Sequence, residues 1–325
     1  MKTILISGGA GYLGTALTKE LLKNYKVVVY DKLYFPWLLK NKNKIKFHSN
    51  LKFIKKNISE VDLSDFKNID VVCDLNGISN DPSSELNSRH TWNINYKCRL
   101  KFAKLAKKSN VSRYIFNSTC SIYGFNKKTV TERSKKNPLS TYAKANYKAE
   151  TEIMKLKDKK FKVNSLRNST LFGFSNTMRL DLVINIFVYN LLKKKKIFID
   201  GDGKQYRPFI AVNDIINVYK QIILKENMPS FICNLVSFNA TIQSLAQNIK
   251  KILKAKDNQI EFNKKMVDKR NYKVGSKVFS KHFGKNFKFA RFSTEIKLLK
   301  KQMKLNNIIN NNQTIRMKFY KKILA

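Results

Sequence analysis

The sequence predicts an α/β protein, with a doubly wound parallel sheet first and a smaller mixed α/β C-terminal lobe after it. Three observations carry this. A glycine-rich turn, Ser7-Gly8-Gly9-Ala10-Gly11-Tyr12-Leu13-Gly14, joins an apolar run to an amphipathic segment. Short apolar runs then alternate with helical patterns through about residue 171, the rhythm of parallel strands joined by crossover helices. From Phe172 onward that rhythm loosens.

The first strand is Ile4-Leu5-Ile6, and the helix after the turn covers residues 15–23. A helix start presents unpaired N–H groups and positive dipole density, so it suits a phosphate. Gly8 permits the turn, Gly11 lets the backbone approach a pyrophosphate, and Gly14 allows close helix–strand packing. Tyr12 and Leu13 belong to the same cofactor-facing loop. The second strand, Val27-Val28-Val29-Tyr30, ends in Asp31, 17 residues after Gly14. A carboxylate there accepts from a ribose 2′-OH and repels a 2′-phosphate. Loop and acid together indicate a Rossmann-like sheet and NAD as cofactor.

Residues 32–51 read as loop and short helix, and Phe53-Ile54 as a third strand followed by Asn57 and Ile58. Residues 69–75 form the fourth strand, with Leu75-Asn76-Gly77 at its carboxyl end, where ligands sit in open α/β sheets. A long helix is predicted over 88–108, then the strand Tyr114-Ile115-Phe116. Ser140-Thr141 starts a helix that carries Tyr142 and ends near residue 156, and 161–166 is a further strand. Beyond it, helices are predicted over 180–193, 213–225 and 241–255, with a strand at Ile197-Phe198-Ile199. From residue 257 onward the pattern suggests small strands and helices. The tail after residue 306, with Asn310-Asn311-Asn312, is expected to be loosely ordered.

The net charge is +43, from 65 basic and 22 acidic residues. Fifty-five of the bases are Lys and only 10 are Arg, and the lysines run through every helix without forming one block. Bidentate phosphate and base recognition favours Arg. Compositional bias therefore explains the charge better than a specific nucleic-acid role, although low-salt polyanion binding is expected. Cys73, Cys98, Cys120 and Cys233 are far apart and His48, His90 and His282 sit near no Cys cluster, so no metal site is expected. The pattern fits a reducing cytoplasm. The N-terminus is no signal peptide, and no apolar run is long enough to insert in a membrane.

With these motifs the chain resembles the extended short-chain dehydrogenase/reductase family, the NAD-dependent sugar-nucleotide epimerases and dehydratases, and most of all its 4-epimerases. The resemblance covers about residues 1–303. It is carried by the glycine loop, Asp31, Leu75-Asn76-Gly77, Ser118-Thr119-Cys120-Ser121-Ile122-Tyr123-Gly124, Tyr142 with Glu150, Leu166-Arg167, Phe172-Gly173, Arg207-Pro208-Phe209-Ile210 and Asp214.

The resemblance implies an NAD-binding domain over 1–171 that includes the catalytic Thr and Tyr. It implies a mainly substrate-binding lobe over 172–305, with some segments returning to the first domain, and leaves a basic tail over 306–325. Asn57 and Ile58 take the adenine contact, and Leu75, Asn76 and Gly77 line the dinucleotide. Thr119 matches the catalytic Ser/Thr and Tyr142 the acid/base. Arg207 and Arg270 match positions that grip the diphosphate of a nucleoside-diphosphate sugar. Thr170 and Asn185 are weaker candidates for the substrate wall, while Tyr123 and Asn95 support the site from the core. Family members often form homodimers through the Tyr helix.

Three positions depart from the pattern, the first being Asn57, where an Asp is more usual. Asn146 replaces the lysine of Y-x-x-x-K, which normally lowers the Tyr pKa and holds the nicotinamide ribose. Lys144 lies about 200° around the helix from Tyr142 and Lys148 about 120°, so neither substitutes easily. Ala211 stands where His is frequent. Dehydratases of the family carry Asp-Glu directly after the catalytic Thr, whereas here Cys120 and Ser121 follow it. The favoured reading is an NAD-dependent sugar-nucleotide epimerase. The competing readings are a catalytically impaired NAD-binding or assembly protein, supported by Asn146, and a sugar-nucleotide dehydrogenase or reductase. A polyanion-binding protein ranks below these.

Overall fold

The computed structural model describes residues 1–40, 44–255, 260–263 and 270–324. Parts of the predicted 32–51 loop and of the region after 257 lie outside them.

Seven strands form one sheet in the order β10-β6-β5-β4-β1-β2-β3. They are β1 (Thr3–Ser7), β2 (Lys26–Asp31), β3 (Leu51–Lys55), β4 (Val71–Asp74), β5 (Arg113–Thr119), β6 (Lys162–Asn168) and β10 (Phe231–Leu235). Every pairing is parallel. A parallel sheet is covered on both faces, and alternate strand residues here enter two separate cores. Ile4, Ile6, Val27, Val29, Val71 and Cys73 pack on one face. Leu5, Val28, Tyr30, Val72, Tyr114 and Phe116 pack on the other. The first face is covered by α1 (Tyr12–Leu21) against α7 (Val212–Leu224), the second by α4 (Arg99–Lys108) against α5 (Thr141–Met154).

The helix predicted over 88–108 divides. It begins as α3 (Ser88–Trp92), widens to π-type turns over Asn93–Cys98, and continues as α4. A short helix absent from the sequence reading, α2 (Asp81–Glu85), precedes it, capped by Asn80.

Beyond β6 the chain builds a second sheet, β11-β9-β7, from β7 (Thr170–Phe172), β9 (Tyr206–Ala211) and β11 (Phe238–Thr241). A parallel pair joins β8 (Ile197–Asp200) to β12 (Ile260–Asn263). Around them lie α6 (Val183–Leu192), α8 (Ile242–Leu253), α9 (Phe279–Phe283) and α10 (Phe292–Leu305). β10 leaves this part and completes the large sheet beside β6.

The tail is not the loose segment expected from its asparagines. Asn311 and Thr314 exchange hydrogen bonds in a tight turn, and Leu180 donates its N–H to the Thr314 carbonyl at 2.8 Å. A final helix, α11 (Arg316–Leu324), follows. Phe319 rests on Tyr34 and Phe35, with ring centroids 5.5 and 4.8 Å away. Polar composition hid the tail's order, because asparagine both favours loops and closes turns.

Candidate active site

A cavity of about 810 Å³ opens past the carboxyl ends of β1, β2, β4 and β5. The glycine loop, Asp31, Asn76, Thr119, Tyr142 and Arg207 all line it. This is the crevice where open α/β sheets hold ligands.

At the glycine loop, Gly8 has φ +73 and Gly14 is packed so tightly that a Cβ would sit 2.2 Å from the Gly8 carbonyl oxygen. A side chain at Gly11 would also crowd that oxygen, at 3.2 Å. Gly11 supplies no side-chain cap to the first turn of α1, and residues 11–14 line the cavity. Leu13 lines the cavity; so does Tyr12, whose hydroxyl donates to the Gly173 carbonyl at 2.6 Å and ties α1 to the segment after β7.

Asp31 accepts from the Ala10 N–H at 3.0 Å and the Leu33 N–H at 2.7 Å. Burial raises its pKa, and those two N–H groups oppose the rise. Each carboxylate oxygen keeps a lone pair for a ribose hydroxyl. Asn57 and Ile58 also border the cavity, Asn57 held in a capping box with Glu60. Leu75, Asn76 and Gly77 form the opposite wall. Gly77 takes φ +146, and Asn95 clamps the next residue through the Ile78 N–H (2.8 Å) and carbonyl (3.0 Å).

Thr119 ends β5, and its hydroxyl accepts from the Ser121 N–H at 3.1 Å. Tyr142 stands in the first turn of α5, where Ser140 caps the helix by accepting from the Ala143 N–H at 3.1 Å. Burial pushes the Tyr142 phenol above its ordinary pKa. The nearby Thr119 side chain pulls it down, Asp81 pushes it up, and the charges of Arg99 and Arg179 pull it down.

Asn146 is 2% exposed one turn beyond Tyr142. Its Oδ1 accepts from Arg99 Nη1 at 2.9 Å, and its Nδ2 donates to the Tyr142 carbonyl at 2.8 Å. Arg99 is also 2% exposed and ion-pairs through Nε with Asp74 Oδ2 at 2.8 Å. Its Nη2 donates to the carbonyls of Asp74 (3.1 Å) and Asn117 (3.0 Å), and the group stacks 3.9 Å from the Phe116 ring centroid. A fixed guanidinium thus stands behind the asparagine. Lys144 is exposed and Lys148 pairs with Glu152 at 3.2 Å, so neither replaces the family lysine.

Of the residues after Thr119, Cys120 is buried with its thiol donating to the Arg167 carbonyl at 3.1 Å, and burial pushes the thiol pKa up. Ser121 lines the cavity.

Thr170 and Arg207 border the cavity near Tyr272, and Arg207 donates to its own neighbour's carbonyl, Tyr206 O, at 2.7 Å and to the Arg270 carbonyl. Arg270 lines the cavity and ion-pairs with Asp81 at 2.5 Å. Asn185 does not lie on the substrate wall. It is fully buried behind it, accepting from the Gly173 N–H at 3.1 Å and donating to the Tyr12 hydroxyl and the Arg179 carbonyl at 3.0 Å each. Its polar atoms hold the two halves of the molecule together. In its place Arg179 and Asp181 reach the cavity, paired at 2.8 Å.

Sequence reasoning missed Arg99, Arg179 and Asp181. For Arg99 a signal existed: one of 10 arginines, four residues after Asn95 on the same helix. Arg179 and Asp181 belong to no recognisable spacing.

The profile of the NAD dependent epimerase/dehydratase family matches residues 4–234. The chain belongs to that family. Its cofactor is NAD, and the glycine cradle, the bare helix start and the Asp31 carboxylate fit that dinucleotide. Among curated relatives, a putative UDP-glucose 4-epimerase of Methanocaldococcus jannaschii is 30% identical over 221 residues, 65% of this chain and 70% of that one. The human dTDP-D-glucose 4,6-dehydratase is 26% identical over 270 residues, covering 80% and 76%. The solved UDP-glucuronic acid 4-epimerase of Bacillus cereus, in complex with UDP-glucuronic acid and NAD, shares the fold with a TM-score of 0.83 over 93% of this chain and 99% of that one, at 24% identity. No helix among the described residues is long and apolar enough to cross a membrane.

Proposed function

We propose that the protein is an NAD-dependent sugar-nucleotide 4-epimerase, an isomerase and not a lyase. The observation that carries this is that Thr119 and Tyr142 line one cavity, with Thr119 followed directly by Cys120 and Ser121. Elimination of water needs an acid and a base beside the sugar ring. The buried Cys120 thiol, bonded to a carbonyl, serves as neither.

Bound NAD supplies a hydride acceptor that can return the hydride. Tyr142 takes the proton of the sugar hydroxyl and gives it back to the inverted carbon's oxygen. Thr119 holds that oxygen and shares the Tyr142 proton. Arg99 is a positioning residue, acting through Asn146 and the Tyr142 carbonyl. Its fixed charge also favours the phenolate. Arg207 and Arg270 suit the substrate diphosphate, since a guanidinium fork matches that anion. Asp31 favours NAD over a 2′-phosphorylated dinucleotide.

Four buried, unpaired cysteines support a reducing compartment, and the cytoplasm is the proposed location. The reading is tested by incubating the purified protein with NAD and a panel of UDP-, dTDP- and GDP-sugars. Inversion at C4 without net NADH supports it. A 4-keto-6-deoxy product, or net NADH, contradicts it.

A further inference from the structure

The last helix, α11, lies against the segment that follows β2 and against α2. Arg316, at its start, is 2% exposed and lines the same cavity as Gly8, Gly11 and Asp31. Its guanidinium sits 3.6 Å from the ring centroid of Phe35, four residues past Asp31. Nη1 donates to the Gln313 carbonyl. Nη2 is buried with no hydrogen-bond partner among the described residues.

No carboxylate among the described residues lies within ion-pair distance of this cation. Asp181 is taken by Arg179 at 2.8 Å, and Asp31 accepts two backbone N–H groups. Burial and the nearby Arg179 charge pull the Arg316 pKa down to about 10. A buried cation without a counter-ion is costly, and that cost is relieved when an anion arrives. The position is nonetheless held firmly, by the Leu180–Thr314 hydrogen bond before the helix and by Phe319 against Tyr34 and Phe35 within it.

We infer that Arg316 is a ligand of the dinucleotide's pyrophosphate, and that α11 is a strap holding the cofactor in the cavity. The anion is assigned to the cofactor because the cation's neighbours, Phe35 and Asp31, follow the strand that reads the ribose. The diphosphate of a substrate has Arg207 and Arg270 instead. The inference rests on the family's cofactor and not on which reaction the protein performs.

The test is calorimetric titration of cofactor-free full-length protein with adenosine, ADP-ribose, NAD⁺ and UDP. Arg316→Ala is expected to weaken ADP-ribose and NAD⁺ roughly ten- to hundredfold, the range of a charge-assisted hydrogen bond, with adenosine unchanged. Arg316→Lys keeps the charge without the fork and falls between. Lys321→Ala, on the exposed face of the same helix, is expected to bind as the parent does. Removing an uncompensated buried charge should leave the melting temperature of the cofactor-free protein unchanged or raised. Equal losses for adenosine and ADP-ribose, a loss for UDP alone, or tighter NAD⁺ binding on removal of Arg316 would each overturn the inference. If Arg316→Ala does not fold, the structural reading is favoured over ligation, and undiminished ADP-ribose binding by Arg316→Lys completes the refutation.

Discussion

Arg99 Nη1 donates to Asn146 Oδ1 at 2.9 Å, so the helix position that carries the family's lysine is instead fixed by an arginine from another helix. The asparagine has no charge of its own, and its free end holds the Tyr142 carbonyl at 2.8 Å. Arg99 is neutralised in part by Asp74, which also accepts from Ser7 (2.7 Å) and Tyr114 (2.8 Å). The cation and its counter-ion are thus both locked behind Asn146 and the Tyr142 backbone.

Restoring the lysine should therefore do harm. Asn146→Lys sets an ammonium against the buried guanidinium. It is expected to lower the melting temperature and give no gain in turnover. In Arg99→Met/Asn146→Lys part of the stability should return, with a coupling of about 0.5 to 3 kcal/mol in a double-mutant cycle. Additive effects would mean that the two residues do not interact.

The pH profile reports the same pair. Arg99 lowers the Tyr142 pKa, so removing its charge raises that pKa. The alkaline-rising limb of the rate should shift to higher pH in Arg99→Met. Because Asp74 is left buried and unpaired, stability should also fall, by about 3–5 kcal/mol, and rates are to be read well below the variant's melting point. An unshifted limb would remove Arg99 from the proton chemistry.

At the reaction centre, Tyr142→Phe should cost about 10²–10⁴ in kcat while NAD still binds, because the phenol lies outside the glycine cradle. Thr119→Ser should retain more activity than Thr119→Val, since only serine keeps the hydroxyl. Steady-state kinetics with separate NAD titrations checks both.

Cofactor choice rests on Asp31. Asp31→Asn removes the charge that repels a 2′-phosphate, so the preference for NAD over NADP should narrow by about tenfold or more. Competitive binding of the two dinucleotides measures it.

Much of this was legible from short-range chemistry. The glycine loop and Asp31 stand where sequence order alone put them, because a strand-turn-helix leaves few alternatives, while Thr119 was singled out by the family resemblance. What was not legible is tertiary. Asn185 reads as a polar wall residue, yet it bridges Tyr12 and Gly173 across more than 160 residues of chain. Arg99 reads as an ordinary helix arginine until β4 and α5 pack on either side of it. The asparagine-rich tail is ordered by contacts with Leu180 and Phe35 that no local pattern contains.

A stability prediction concerns Asp214, at the start of α7. It accepts from the Ala290 N–H at 3.0 Å through Oδ1, while Oδ2 is buried without a partner among the described residues. Burial raises its pKa from 3.8 to about 6. The folded chain therefore holds a proton that the unfolded chain has lost. The favourable contribution is full below the unfolded value and disappears as pH rises through about 6. Asp214→Asn should raise the melting temperature at pH 7 relative to the parent, and the gain should vanish below about pH 4. An equal gain at both pH values would refute the assignment.

The most direct test of the central claim uses a UDP-sugar substrate carrying deuterium at C4, followed by proton NMR of the product. The expected product has inverted configuration at C4 with the deuterium retained on that carbon and no solvent hydrogen incorporated there, and Tyr142→Phe is expected to yield no inverted product. Deuterium found at C6 with water lost, or tight NAD binding with no conversion of any sugar nucleotide, would contradict it.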